Sequence, residues 1–203
     1  MKKIFCLLIL FCLISCTKDD DGTRSDLPSE TTEGKNTFGC RVDDITFLPK
    51  SSGAIFGSDA PIVSANYFKL DDKYYDFQPG YYLRIVAMNE ITNKDIVINA
   101  TRSDLPLAEG KTYPITMEGD GLFSAKYSFS TTALSKDNNA YVFTNHQYKT
   151  SKDYNGELKI TKIDESKLII SGTFSFDCYN DDDQTIAKIR ESRFDIKYKP
   201  YLE

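Results

Sequence analysis

The chain has 203 residues and a mass of 23.0 kDa, which suits one domain of ordinary size. Apolar residues make up 40% and charged residues 27%, a globular composition that excludes a disordered or membrane-embedded chain. The formal net charge of −5 argues against a nucleic-acid partner, which would need a basic face.

The N-terminus combines a basic start with a short apolar run. Lys2 and Lys3 precede the run from Ile4 to Ile14, which is shorter than the roughly 20 residues of a membrane span. This predicts a signal peptide over residues 1–15. The run ends in Leu-Ile-Ser-Cys16, which resembles the lipobox of bacterial lipoproteins. The resemblance implies cleavage before Cys16 and acylation of its thiol and amine, with chains such as palmitate holding the protein at a membrane. The alternative is an ordinary secretory signal with an incidental cysteine.

The residues after Cys16 indicate in which membrane the protein is located. Thr17 stands where an inner-membrane retention signal would have Asp, which favours the outer membrane. The segment 18–21, Lys-Asp-Asp-Asp, resembles the surface-export signal of Bacteroidota lipoproteins. The resemblance implies display at the cell surface. The alternative is a solvated acidic linker with the domain on the periplasmic face.

A polar segment separates the lipidation site from the domain. Between residues 17 and 36 the one apolar residue is Leu27, so the segment has little apolar area to bury. We therefore expect residues 16–36 to be the lipidated cysteine and a disordered acidic tether. The domain is predicted to span residues 37–203.

From Thr37 onward, apolar and polar residues alternate in short runs. These runs cover residues 38–42, 45–47, 81–88, 94–100, 122–130, 141–148, 158–163, 168–176 and 193–199. Alternation with one polar face predicts antiparallel strands, and residues 50–80 are the least regular part. The fold class is therefore all-β, a single antiparallel β-sandwich or β-barrel of about nine or ten strands. Periodicity alone does not choose between the two.

Two cysteines remain once Cys16 is lipidated and the signal peptide is removed. Cys40 and Cys178 share strand parity with core-type aromatic residues, so both are expected to point inward. They form a candidate disulfide pair in an oxidising compartment. The alternative is two buried free thiols that behave as small apolar side chains.

The end of the chain carries a family resemblance. Residues 156–164 read Gly-Glu-Leu-Lys-Ile-Thr-Lys-Ile-Asp, residues 169–176 read Ile-Ile-Ser-Gly-Thr-Phe-Ser-Phe, and residues 193–198 read Arg-Phe-Asp-Ile-Lys-Tyr. With the opening strand at 37–42, this resembles the uncharacterised Bacteroidota lipoproteins of the DUF6252 family. One departure is Glu191-Ser192, where the family pattern has a glycine. The resemblance implies an all-β, lipid-anchored domain and brings no catalytic residues.

Motifs for catalysis or metal binding are missing from the sequence. His146 is the only histidine and no G-x-S-x-G elbow accompanies it, so we expect a surface or structural role. No C-x-x-C or H-E-x-x-H motif occurs, and the acidic run Asn180–Asp183 lacks the spacing of a calcium loop. We therefore predict no catalytic residues, no metal site, no cofactor and no enzymatic activity.

One aromatic cluster is unusual. Tyr74, Tyr75, Phe77, Tyr81 and Tyr82 lie around a Pro-Gly turn. Consecutive aromatic residues cannot all face one side of a strand, so some are expected to reach solvent. Exposed tyrosine rings stack on sugars or anchor protein contacts. The alternative is that these rings only cover the sheet.

Several functions are compatible with this sequence. The favoured hypothesis is a surface-tethered, non-catalytic binding or accessory module for a glycan or a surface protein. The alternatives are a structural envelope lipoprotein, a carboxylate-based hydrolase and a barrel that carries a small apolar ligand.

Overall fold

The computed structural model describes residues 27–53, 61–135 and 140–201. The described chain is all-β, as predicted. Its strands are β1 (Thr37–Val42), β2 (Ile45–Phe47), β3 (Val63–Leu70), β4 (Gly80–Asn89), β5 (Lys94–Ser103), β6 (Thr112–Ile115), β7 (Leu122–Leu134), β8 (Tyr141–Lys149), β9 (Gly156–Asp164), β10 (Ile169–Asn180) and β11 (Thr185–Lys197). The signal peptide, Cys16 and the acidic run after it lie outside the described residues.

The strands form one sheet that folds back on itself. Its order is β2-β1-β11-β10-β9-β6-β7-β5-β4-β3, with β8 between β7 and the end of β10. The pairs are antiparallel except for β6 with β7, which meet in parallel at Ile115 and Phe123. Isolated bridges from Asn66 to Lys199 and from Lys50 to Asn89 link the two ends of the sheet. The architecture is therefore sandwich- or barrel-like around a single core.

Alternating side chains from every long strand fill this core. Ile85, Ile98 and Phe176 are among the largest fully buried side chains, and all belong to one apolar cluster. Burial of each such side chain contributes about 1.5–3 kcal/mol. The short strand β6 was not predicted, because four residues that include Pro114 carry almost no periodic signal.

The segment before β1 is ordered by a buried carboxylate, which corrects the predicted tether boundary. Asp195 on β11 is 1% exposed and accepts hydrogen bonds from the Thr31 hydroxyl at 2.6 Å and the Ser171 hydroxyl at 2.7 Å. It also accepts from the backbone N–H groups of Gly34 at 2.8 Å and Lys35 at 3.2 Å. Residues 27–36 are therefore part of the domain, although they form no strand.

Burial alone would raise the pKa of Asp195. The hydrogen bonds from Thr31, Ser171, Gly34 and Lys35 outweigh burial, and together they lower the pKa below its ordinary value. The carboxylate is thus held ionised inside the protein, where it ties the segment before β1 to the sheet.

Cys40 and Cys178 point into the core as predicted, but they are free thiols. The candidate disulfide is not formed, because β1 and β10 lie on opposite sides of β11. Two strand spacings amount to about 9.6 Å, whereas a disulfide needs Cα atoms within about 7 Å. Burial raises the pKa of Cys178 to about 12 and also raises the pKa of Cys40.

This arrangement predicts thiol behaviour. In the purified protein without its lipid, a thiol reagent should label neither Cys40 nor Cys178 in the native state, because buried neutral thiols react slowly. Both should react at once in denaturant without any reductant. Mass spectrometry of the labelled chain checks this, and a denatured chain that resists labelling until it is reduced would contradict the fold.

Glu191-Ser192, where the resemblance leads us to expect a glycine, lies within β11. Glu191 has a φ of +49°, in the left-handed region where glycine is favoured. Ser192 is buried, and its hydroxyl accepts a hydrogen bond from the N–H of Phe174 at 2.7 Å and contacts the Phe174 carbonyl. Glu191 therefore adopts, without glycine, a left-handed backbone conformation inside β11, where the pairing with β1 and β10 is irregular.

Candidate functional site

The predicted aromatic cluster divides between two faces of the sheet. Tyr81 and Tyr82 follow each other on β4, so their rings point in opposite directions. Tyr82 is buried, stacks on Phe68 at 5.3 Å and meets Phe77 edge-on at 5.5 Å. Its hydroxyl donates to the carbonyl of Gln78 at 2.7 Å. Phe77 and Tyr82 are therefore packing residues, not a ligand surface.

Tyr74 and Tyr75 are the most exposed members of the cluster. They lie in the loop between β3 and β4, where Tyr74 and Phe77 exchange two backbone hydrogen bonds at 3.0 and 2.9 Å. Their side chains are 55% and 78% exposed, and the two rings meet edge-to-face at 4.7 Å. Because the rings are perpendicular, they do not form one flat platform for a sugar.

Tyr81 lines a groove at one end of the sheet. The groove has a volume of about 360 Å³, and its lining includes Tyr67, Tyr198, Lys69 and Glu165. Tyr81 stacks on Tyr67 at 6.2 Å, and the Lys69 ammonium lies 5.9 Å from the centre of the Tyr81 ring. Tyr67 and Tyr198 are each 5% exposed, so Tyr81 is the tyrosine that presents an accessible ring face in this groove. One such ring beside a cation and a carboxylate suits a sugar-sized polar ligand.

A second surface lies where β7 and β8 extend beyond their neighbours. Pairing of β7 with β5 ends at Phe129, and pairing of β8 with β10 is limited to Lys149. The N–H of Ser130 still donates to the carbonyl of Asn93 at 3.1 Å. Apart from this bond, the backbones of residues 130–134 and 141–145 pair only with each other among the described residues. We call these two segments the arm. Every arm residue is exposed, on both faces of the hairpin.

The arm exposes apolar side chains. Leu134, Tyr141 and Phe143 are 52%, 71% and 76% exposed, and Val142 is also exposed. The pairings of Leu134 with Tyr141 and of Thr132 with Phe143 place the three large side chains on one face of the hairpin. An isolated two-stranded hairpin is marginally stable in water, and contiguous exposed apolar groups commonly mark an interaction site.

The outer edge of β8 offers unpaired backbone groups. The N–H of Ser135 donates to the carbonyl of Ala140 at 2.8 Å, so these opposite residues form a hydrogen-bonded pair. Because such pairs alternate along an antiparallel ladder, Tyr141, Phe143 and Asn145 direct their N–H and C=O groups away from β7. No strand among the described residues takes up these groups.

His146 lies at the base of the arm and contacts three neighbouring side chains. Its Nδ1 lies 2.7 Å from a carboxylate oxygen of Asp183, in the turn between β10 and β11. Its Nε2 lies 3.1 Å from the Thr131 hydroxyl, and its ring stacks on Phe129 at 4.5 Å. The order of carboxylate, imidazole and hydroxyl resembles a hydrolytic triad. Thr131 is exposed, however, and no described part of the chain covers it to exclude water from a reaction.

The acidic run Asn180–Asp183 is organised as a turn. The side-chain oxygen of Asn180 accepts from the backbone N–H groups of Asp182 at 2.8 Å and Asp183 at 3.1 Å. Across residues 27–53, 61–135 and 140–201, no three His, Cys, Asp or Glu side chains come together as metal ligands.

The carboxyl groups of the described chain bear on the hydrolase alternative. The pKa of Glu90 is lowered by hydrogen bonds from Ser52, and that of Asp164 is lowered first by the Ser166 hydroxyl. Asp195 also has a lowered pKa. In each of these three residues the pKa is lowered, which is opposite to the raised pKa that the general acid of a glycosidase requires.

The arm was not singled out from the sequence, although strands were predicted over much of it. The available signal was a stretch without charge: neither segment of the arm contains Lys, Arg, Asp or Glu, in a chain with 27% charged residues. Natural edge strands usually carry charges or proline, so their absence could have indicated a covered surface.

Comparison with known proteins places the chain in a family. No curated protein and no solved structure is detectably similar to it. In the described parts of the chain, no helix is long and apolar enough to cross a membrane. A family model described as a domain of unknown function, DUF6252, matches residues 65–195, a range that contains most of the C-terminal pattern and begins after β1. Because the match covers more than half of the chain, the protein belongs to the DUF6252 family.

Proposed function

We propose that this protein is a non-catalytic binding module and that it contacts a protein partner through the arm. The observation that carries the proposal is the exposed apolar face of Leu134, Tyr141 and Phe143, next to an open strand edge. Aromatic residues dominate the energetics of protein interfaces because they bury a large area at a small cost in side-chain entropy.

The proposal includes attachment to the outer membrane through acyl chains on Cys16, as a surface lipoprotein of Bacteroidota. The lipobox-like sequence and the acidic run 18–21 support this location. Among the described residues, Thr31 is the first that donates a hydrogen bond to Asp195. Even a fully extended chain keeps Thr31 within about 55 Å of Cys16. A partner in or on the same membrane would thus be within reach.

A glycan ligand is the second candidate, and the Tyr81 groove favours it. A soluble glycan that binds there should raise the unfolding temperature. At 100 times its Kd, such a ligand adds about 2.7 kcal/mol to the free energy of unfolding. Tyr81→Ala should abolish the shift, whereas Tyr74→Ala and Tyr75→Ala should leave it intact. A panel of glycans without any shift would contradict this second candidate.

Photo-crosslinking in intact cells tests the arm. A photoreactive phenylalanine analogue replaces Phe143 in one strain and Leu105, an exposed apolar residue outside the arm, in the control strain. We expect light-dependent adducts of defined mass at position 143 and none at position 105. Equal adducts at both positions, or none at 143, would contradict the proposal.

A further inference from the structure

We infer that the arm binds a second copy of this chain, by antiparallel pairing of the two β8 strands. This inference rests on the proposed function and names the partner. Three observations carry it: the absence of charge on the arm, the direction of the free backbone groups and the self-complementary order of the side chains on β8.

Charge is the first argument. The whole chain carries a net charge of −5, so two copies repel each other over most of their surfaces. The arm has no charged residue, which makes it a surface where two like chains can meet without repulsion. It also has none of the lysines or prolines that keep open strand edges apart in other proteins.

Backbone geometry is the second argument. Tyr141, Phe143 and Asn145 direct N–H and C=O groups to the open edge, so hydrogen-bonded pairs across a new ladder must join members of this set. A two-fold axis at Val142 satisfies this condition, because it pairs Tyr141 of each copy with Phe143 of the other. Edge-to-edge addition of this kind supplies backbone hydrogen bonds and side-chain contacts together.

Side-chain order is the third argument. In this register, each Tyr141 meets a Phe143 on the face that also carries Leu134, so the apolar face runs without interruption from one copy to the other. Cross-strand aromatic pairs contribute about 0.2–1 kcal/mol each, and the interface is isologous, as in most homodimers. A register centred on Phe143 would instead place Tyr141 opposite the polar Asn145.

The acidic turns do not oppose this arrangement. Asp183 lies beside His146, four residues along β8 from the axis at Val142. The two copies therefore keep these turns about 27 Å apart, well beyond the screening length of about 8 Å at physiological salt.

Sedimentation of the unlipidated chain from Thr17 to Glu203 tests the inference. We expect a reversible monomer–dimer equilibrium for the wild type. Phe143→Lys alone and Tyr141→Glu alone should each lower the association constant at least about tenfold, because each removes both Tyr141–Phe143 contacts of the symmetric interface and leaves two charges there without an ionic partner. An equimolar mixture of the two variants should regain dimers, because the lysine introduced in one copy then faces the glutamate introduced in the other across the axis. Leu105→Lys should sediment as the wild type does.

Cysteine trapping checks the register. Val142→Cys places two thiols on the two-fold axis, in a non-hydrogen-bonded pair with Cα atoms about 4.5 Å apart, which is within disulfide range. We expect a disulfide-linked dimer on mild oxidation of Val142→Cys and monomer for Leu105→Cys.

Three results would overturn the inference. They are a wild-type chain that stays monomeric in sedimentation, mixed variants that fail to associate, and a monomer that instead binds vesicles of phosphatidylethanolamine and phosphatidylglycerol through the arm. Adducts of position 143 with a different protein would support the proposed function but would refute the inference that the arm binds a second copy of this chain. Absence of any adduct would refute the proposed function itself.

Discussion

Gly172→Ala and Gly156→Ala are each expected to destabilise the protein by about 3 kcal/mol or more, a large part of the 5–15 kcal/mol that stabilises a typical domain. A Cβ atom on Gly156 would lie 1.9 Å from the carbonyl oxygen of Ser175, and one on Gly172 would lie 2.2 Å from that of Lys159. These atoms belong to the backbone of β9 and β10, so relief requires the paired strands to separate.

Urea unfolding midpoints measure this effect. The matched control is Gly110→Ala, where no atom lies within 4 Å of the added Cβ and the cost arises from a φ of +79°. That backbone conformation costs an L-residue about 1–2 kcal/mol. A Gly172→Ala variant as stable as Gly110→Ala would show that β9 and β10 do not pack as closely as described.

Asp195→Asn is expected to cost about 3 kcal/mol at neutral pH. The substitution keeps the shape of the side chain, but its amide group replaces an acceptor with a donor among hydroxyl and N–H groups that all donate to the carboxylate. Leaving a buried polar group without a partner accounts for the cost, and the segment before β1 should become accessible to proteases. Asp164→Asn, at a partly exposed carboxyl whose pKa is also lowered, should stay close to the wild type.

The same residue predicts a pH dependence. The pKa of Asp195 is lower in the folded protein than the value of about 3.9 in the unfolded chain. Its contribution to stability is therefore fully present above about pH 4 and is lost as the pH falls through the folded pKa. The free energy of unfolding of the wild type should fall more steeply below pH 4 than that of Asp195→Asn. Parallel curves would contradict the described environment of Asp195.

Local alternation predicted most strands because burial on one face leaves a period of two in the sequence. It did not predict which strands become neighbours, since that depends on contacts between distant segments. Cys40 and Cys178 show the difference: both face the core as their parity indicated, yet β11 separates them. Composition likewise predicted that residues 27–36 belong to the tether, although Thr31 and Gly34 donate hydrogen bonds to the carboxylate of Asp195, far along the chain.

The candidate sites show the same limit. Alternation indicated that Tyr81 and Tyr82 face opposite ways, but the surroundings of each ring depend on Phe68, Tyr67 and Tyr198. Phe143 lies in a run that predicts a half-buried strand, and it is exposed because the neighbouring strands end before they reach it. The sequence of β8 does not indicate how far the neighbouring strands extend.

The most direct test of the arm as a contact surface is hydrogen exchange of the peptide that covers β8. The rate is compared between the lipidated protein in its native membrane and the unlipidated chain in dilute solution. We expect slower exchange over residues 141–149 in the membrane, because a partner takes up the free N–H groups of Tyr141, Phe143 and Asn145, with unchanged exchange in β9. Equal exchange of the β8 peptide in both samples would contradict the proposal that the arm is covered in the working protein.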